Sequence, residues 1–240
     1  MGDRNGRVTV EVCAAGGYGL PVTRHQTRAC DASECGLRFP VPEGSALGAA
    51  CPHCGGPTRL LAAEVYETHE ARGPANVIGP PVEGFLDNLR SLRNVGSIFR
   101  TADGAGVRHL YLGGFTPTPD HPRMVKTSLG AEQTVAWSQH RDGLTKLEHL
   151  AAAGCRLWAL EGGEDALPLP DAMRTLDTRP IILVVGHEVS GVDPRLVERC
   201  ERTVRLPMMG SKGSLNVGVA FGVAAYFLRF GASPASGSAR

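Results

Sequence analysis

The feature that most constrains the fold is a run of five aliphatic residues, Ile181-Ile182-Leu183-Val184-Val185, bounded by Pro180 and Gly186. Such a run has no polar face, so a strand made from it must be covered on both sides, which is the situation of strands in parallel sheets. The surrounding text agrees. From about Val77 to Phe230, short β-like runs alternate with helical patterns, as expected of an α/β domain with a mostly parallel sheet. The spacing predicts strands at Gly84–Leu86, His109–Leu112, Arg156–Leu160, Ile181–Val185 and Thr203–Leu206. It predicts helices over Ser91–Ala105, Gly143–Ala153, Pro194–Cys200 and Leu215–Phe230. No internal repeat is present.

The text before this region is different. Residues 1–72 lack long helical patterns, are rich in Gly, Cys and Pro, and end in the polar run Glu64 to Arg72, which puts a boundary near Gly73-Pro74. A chain of 240 residues accommodates one sizeable domain, here 73–230, plus a small accessory module, 1–72. The tail from Gly231, GASPASGSAR, reads as disordered.

Four of the seven cysteines explain how so small a module can fold. Cys30-x4-Cys35 and Cys51-x2-Cys54 are two thiolate pairs, each spaced to bite one tetrahedral ion. A segment of this size cannot bury enough apolar surface alone, so a structural zinc ion would supply most of its folding free energy. The expectation is a zinc-ribbon-like module, set against spare thiols in a degenerate ribbon. His25, His53 and His69 are the available substitutes for a cysteine. Cys13, Cys155 and Cys200 lack partners at ligand spacing and read as ordinary small residues.

A net charge of +1 excludes a basic arm or an acidic tail as the organising feature. No secretory signal and no long uninterrupted apolar stretch is present, so the reading is cytoplasmic, with no membrane partner. Locally, residues 88–126 hold six basic side chains against Asp103 and Asp120. Of these, Arg90, Arg93, Arg123 and Lys126 are the candidates to track phosphates, beside the plainer reading of a solvated face. Arg123, Lys126 and His121 fall in a Pro-rich loop, Thr116–Ser128. Gly16-Gly17-Tyr18-Gly19 lacks the preceding strand and full glycine spacing of a nucleotide loop.

Three blocks combine glycines with polar residues that packing alone does not require. The first runs from Leu86-Asp87-Asn88 into a helix presenting Asn94 and Arg100, whose free N–H groups suit a phosphate. The second is Val185-Gly186-His187-Glu188 through Gly191, at the carboxyl end of a buried strand, where open α/β sheets bind ligands. The third is Leu206-Pro207-Met208-Met209-Gly210 through Ser214-Leu215-Asn216, a glycine-rich loop entering an apolar helix with Ser214 as the expected N-cap. Plainer readings stand beside these. Asn94 can be a cap, Arg100 a solvated helix residue, Glu188 a surface turn and Asn216 a first-turn polar group. Met209 reads better as gap-filling core than as a ligand contact, and His187 carries no assigned chemistry.

The three blocks, in this order and spacing, resemble the signature motifs of the SpoU/TrmH family of RNA ribose 2′-O-methyltransferases, over about residues 84–230. The resemblance implies a knotted (trefoil) sheet domain, S-adenosylmethionine as cofactor, a homodimer, and structured tRNA or rRNA as substrate. On matching positions it implies Asn94, Arg100, Glu188, Ser214 and Asn216 as functional polar residues. It also implies cofactor contacts from Leu112-Gly113-Gly114, Val185, Gly186, Glu188, Leu206, Met208, Ser214 and Leu215. Arg100 is the family's catalytic arginine. A guanidinium is always protonated, so its expected role is to clamp the phosphate and developing alkoxide rather than to take a proton. Asn94 and Asn216 are expected to position, and Glu188 to support loops or the dimer. The competing class is a non-catalytic RNA-binding or assembly protein on the same scaffold. A dinucleotide oxidoreductase fits poorly, since no strand–GxGxxG–helix fingerprint is present.

Overall fold

A computed structural model describes residues 24–65, 77 and 79–231. The chain divides into two compact units, Met1–Gly73 and Pro74–Arg240. Cys13, the Gly16–Gly19 run, His69, the boundary at Gly73-Pro74 and the tail beyond Gly231 lie outside the described residues.

The first unit contains three strands, β1 (Arg24–Cys30), β2 (Arg38–Pro42) and β3 (Thr58–Val65), in an antiparallel sheet of order β2-β1-β3. Arg28 ties β1 to the start of β3, donating from Nε to Thr58 Oγ1 at 2.8 Å and from a terminal nitrogen to the Thr58 carbonyl at 2.9 Å. None of these strands is legible as an apolar run. They are held by backbone pairing and by the cysteine knuckles at one end.

The second unit is a seven-stranded sheet. In chain order its elements are β4 (Val82–Asp87), α1 (Leu92–Ala105), β5 (His109–Gly113), α2 (Val125–Ser128), β6 (Ala136–His140), α3 (Gly143–Ala152), β7 (Arg156–Leu160), β8 (Leu167–Pro168), α4 (Leu169–Ala172), β9 (Ile181–Val185), α5 (Pro194–Val197), β10 (Arg202–Arg205) and α6 (Val217–Phe230). The strand order is β6-β5-β4-β9-β7-β10-β8, and every described pairing is parallel. The chain first builds outward from β4 to β6. It then crosses to β7 and β8 before β9 enters between β4 and β7, and β10 between β7 and β8.

The aliphatic run is this central strand, β9. Ile181, Leu183 and Val185 face the cluster under α1 and α6 with Phe99, Ala102, Phe221 and Leu228, while Ile182 and Val184 face Phe85, Leu147, Leu150 and Leu196 under α3 and α5. Two covered faces account for a strand with no polar position.

Several boundaries move. The helix expected over Pro194–Cys200 ends at Val197, and the last helix begins at Val217 rather than Leu215. The expected strand Thr203–Leu206 runs Arg202–Arg205. The loop expected over Thr116–Ser128 closes with the single turn α2, which carries Lys126.

Candidate active site and metal centre

In the second unit, the strand order brings the carboxyl ends of β7, β9 and β10 together. They form a cleft of about 400 Å³, in the size range of small-molecule sites and at the place where open α/β sheets bind them. Val185, Gly186, Glu188, Leu206, Met208, Ser214, Leu215 and Asn216 all line it. So do Leu160, Glu161 and Gly162 from the end of β7, which the sequence reading did not select.

Leu112, Gly113 and Gly114, expected as the first cofactor loop, are not among the residues that line this cleft. They end β5, which the sheet order separates from β9 by β4. Leu112 is core, and Gly114, at φ +59, lies so close to the Asn88 side chain that a Cβ there would collide with Oδ1. This turn braces Asn88, itself left-handed at φ 52, with the Asn88 N–H donated to the Gly113 carbonyl at 3.2 Å.

The loop after β9 closes on itself. His187 N–H donates to the Gly191 carbonyl at 3.0 Å and Gly191 N–H returns to the His187 carbonyl at 2.8 Å. The imidazole Nδ1 accepts from Val189 and Ser190 N–H at 3.2 and 3.3 Å, a structural use of a residue with no assigned chemistry. Gly186 is required here because a Cβ would overlap the Val192 nitrogen.

This loop delivers Glu188 to the start of α1. Its Oε2 accepts from Arg90 N–H at 2.9 Å, and its Oε1 from Ser91 N–H at 2.8 Å and Asn94 Nδ2 at 2.9 Å. The expectation of a free phosphate site at this helix start is corrected: the protein's own carboxylate occupies it. The α1 N-cap is Ser91, whose Oγ accepts from Asn94 N–H at 3.4 Å, so Asn94 is not the cap. Burial pushes the Glu188 carboxyl up, but the N–H groups of Arg90, of Glu188 itself and of Ser91, with the Asn94 amide, outweigh it and leave it below 4.5.

Asn216, rather than Ser214, caps α6, its Oδ1 accepting from Gly218 and Val219 N–H at 3.0 and 3.3 Å. Ser214 stays in the exposed loop bordering the cleft. Asn216 Nδ2 donates to Asn94 Oδ1 at 3.0 Å. One directed chain of donors therefore runs from the α6 backbone through Asn216 and Asn94 to Glu188, and it fixes the orientation of both amides. Met209 is 98% exposed, which overturns its reading as core. Of the two adjacent methionines, only Met208 lines the cleft.

Arg100 is exposed on α1, has no side-chain partner among the described residues, and is not a wall of the cleft. Arg90, Arg93, Arg123 and Lys126 are likewise exposed.

A family model described as the SpoU rRNA Methylase family matches residues 84–226, the stretch from β4 into α6. The chain belongs to the SpoU rRNA Methylase family. It is 32% identical over 150 residues to an uncharacterized tRNA/rRNA methyltransferase of Mycobacterium tuberculosis, covering 62% of this chain and 52% of that one. It is 34% identical to the 23S rRNA (guanosine-2′-O-)-methyltransferase RlmB of Pseudomonas syringae, covering 60% and 56%. It is 30% identical to the tRNA (guanosine(18)-2′-O)-methyltransferase of Aquifex aeolicus, covering 59% and 65%. This member of the SpoU family thus spans 52% to 65% of the length of these curated relatives. Among solved structures, the A. aeolicus TrmH/SpoU tRNA modifying enzyme superposes with a TM-score of 0.54 at 28% identity, over 60% of this chain and 72% of that one.

In the first unit, Sγ atoms of Cys30, Cys35, Cys51 and Cys54 all lie within 4.8 Å of one another, and none is in a disulfide. Cys30 and Cys54 are 3.4 Å apart, Cys35 and Cys51 3.7 Å. Sulfurs around a tetrahedral zinc with ~2.3 Å bonds sit about 3.8 Å apart, so the donor set fits that ion. The Cys54 backbone N–H and, against opposing burial, that of His53 hold the Cys51 thiol down to about 6, while burial and the neighbouring sulfurs push Cys30 and Cys35 up, so without a metal the four sulfurs share protons rather than all ionising. His53 Nδ1 stands 3.6 Å from Cys35 Sγ, outside a shell that four thiolates already close.

Proposed function

We propose that this protein transfers a methyl group from S-adenosylmethionine to a ribose 2′-hydroxyl of structured RNA, tRNA or rRNA. The observation that carries the reading is the cleft at the ends of β7, β9 and β10, walled by Leu160, Val185, Leu206 and Leu215 and joined through Asn216 to Asn94 and Glu188. Its apolar walls and its Glu161 carboxylate suit a cationic nucleoside. When bound, the cofactor supplies an electrophilic methyl on sulfur.

The chain's own residues orient and stabilise. Glu188 locks the 187–191 loop to the start of α1, and the Asn94–Asn216 pair ties α1 to the start of α6, where Asn216 borders the cleft. Positioning of this kind supplies a large part of the rate gain in group transfer. Arg100, free of internal partners, clamps the phosphate beside the reacting ribose and stabilises the developing alkoxide. Arg90, Arg93, Arg123 and Lys126 follow the RNA backbone.

Because Arg100 stands outside the cleft of a single chain, the reading includes a homodimer. Its support is the exposed apolar stripe Val219, Val223, Tyr226 and Phe227 along α6, which a second copy would cover. The trefoil knot belongs to the same proposal, supported by the return of the chain after β10 to the loops that follow β7 and β9. Structural zinc in the Cys30/Cys35/Cys51/Cys54 cluster completes it.

The test is transfer of radiolabelled methyl from S-adenosylmethionine into total RNA, followed by mapping of 2′-O-methyl sites. Label in ribose that is lost in Arg100→Ala supports the proposal. Cofactor binding without label in any RNA would overturn it in favour of a non-catalytic RNA-binding protein.

A further inference from the structure

Glu161 is the one carboxylate of the cleft with an oxygen left over. It follows directly on β7, its N–H donating to the Val204 carbonyl of β10 at 3.0 Å. Its Oε1 accepts the Val192 N–H at 2.6 Å, which holds the carboxylate against the closed 187–191 turn. Among the described residues Oε2 has no hydrogen-bond partner and Glu161 has no ion pair, although Arg205 also lines the cleft. The neighbouring Gly191 sits at φ +75, and a Cβ there would come within 2.7 Å of Oε1, so no side chain at that position screens the carboxylate. Glu188, by contrast, is filled by three N–H donors.

A half-buried carboxylate pinned through one oxygen is preorganised to accept a ligand donor on the other. S-adenosylmethionine offers two sets of strong donors, the ribose diol and the α-ammonium. We propose that Glu161 is a specificity-determining residue for the nucleoside cofactor, with Oε2 accepting a hydrogen bond from one of these two groups. This rests on the cofactor reading under Proposed function.

The test is calorimetric binding to the full chain, wild type and Glu161→Gln, of three ligands: S-adenosylhomocysteine, 5′-methylthioadenosine, which lacks the amino acid, and the 2′,3′-dideoxy form of the latter. Loss of a hydrogen bond to a charged acceptor corresponds to about a ten- to hundredfold weakening, and that is the expected fall for S-adenosylhomocysteine. If the partner is the diol, methylthioadenosine weakens by the same factor and its dideoxy form does not. If it is the ammonium, methylthioadenosine is unaffected. Unchanged S-adenosylhomocysteine affinity, or an equal loss for all three ligands, overturns the inference, since an equal loss is what a mere brace of the 187–191 turn would give. Glu161→Asp, which keeps the charge and shortens the reach, provides the same comparison should the glutamine variant fold poorly. A wild type that binds none of the three overturns the cofactor reading itself.

Discussion

Glu188→Ala removes the acceptor of three N–H donors at once, and the consequence can be worked from their geometry. A hydrogen bond to a charged group contributes about 1.5–3 kcal/mol where water is excluded. Glu188 is half-exposed, so water replaces part of each bond, and we expect a loss of about 2 kcal/mol. Glu188→Gln keeps an oxygen for Ser91 and Asn94 but turns an amide N–H toward the Arg90 N–H, a loss of about 1 kcal/mol. Both tryptophans, Trp137 and Trp158, lie in the second unit, so their emission follows urea unfolding of that unit alone. With a urea slope of about 2 kcal/mol per molar, the midpoints should fall by about 1 M and about 0.5 M. The pH dependence has a definite sign. A carboxyl held below 4.5 in the fold stabilises it above that value, and the contribution disappears as pH falls through the folded value. The gap between wild type and Glu188→Ala should therefore be full at pH 7 and shrink as pH falls below the ordinary carboxylate value. Equal midpoints for wild type and alanine variant at pH 7, or a gap that widens in acid, would refute the reasoning.

Glu201→Ala takes from the buried Arg156 the carboxylate it meets through paired contacts of 2.8 and 2.7 Å, leaving it the longer 3.7 Å contact with Asp177, and should cost about 2 kcal/mol in the same unfolding assay. A shift of less than about 0.5 kcal/mol would show that Asp177, the Thr175 carbonyl and the Trp158 ring suffice as partners. Asn216→Ala removes the α6 cap and the link to Asn94, for about 1 kcal/mol of stability and a larger proportional loss of methyl transfer; unchanged transfer would deny the amide chain a positioning role. Metal analysis should find one zinc per chain, and chelation should unfold the first unit, read by loss of its amide-exchange protection, while tryptophan emission from the second stays unchanged.

What could be read from the sequence followed local pattern. β9 announces itself because both faces are covered, and α1 and α6 because glycines and alanines alternate with large apolar residues at helical spacing. β6, Ala136-Trp-Ser-Gln-His140, escapes because it is an edge strand with polar residues at three of its five positions, and β8 is only Leu167–Pro168. The antiparallel strands of the first unit escape because backbone pairing, not an apolar face, defines them. The separation of Leu112–Gly114 from the cleft could not be read because strand order is non-local: nothing in the text says that β4 separates β5 from β9. Glu161 was within reach. It directly follows a buried strand and precedes Gly162-Gly163, the same juxtaposition that marked Gly186 and Glu188.

The late entry of β9 has a consequence for biosynthesis. A ribosome that has made some 175 residues has already released β4 and β7, the two strands destined to flank the middle of the sheet, with nothing yet to pair between them. Two naked strand borders must wait for the chain to supply their shared neighbour, so protein truncated just before Ile181 should be held by chaperones or precipitate rather than persist as a smaller fold.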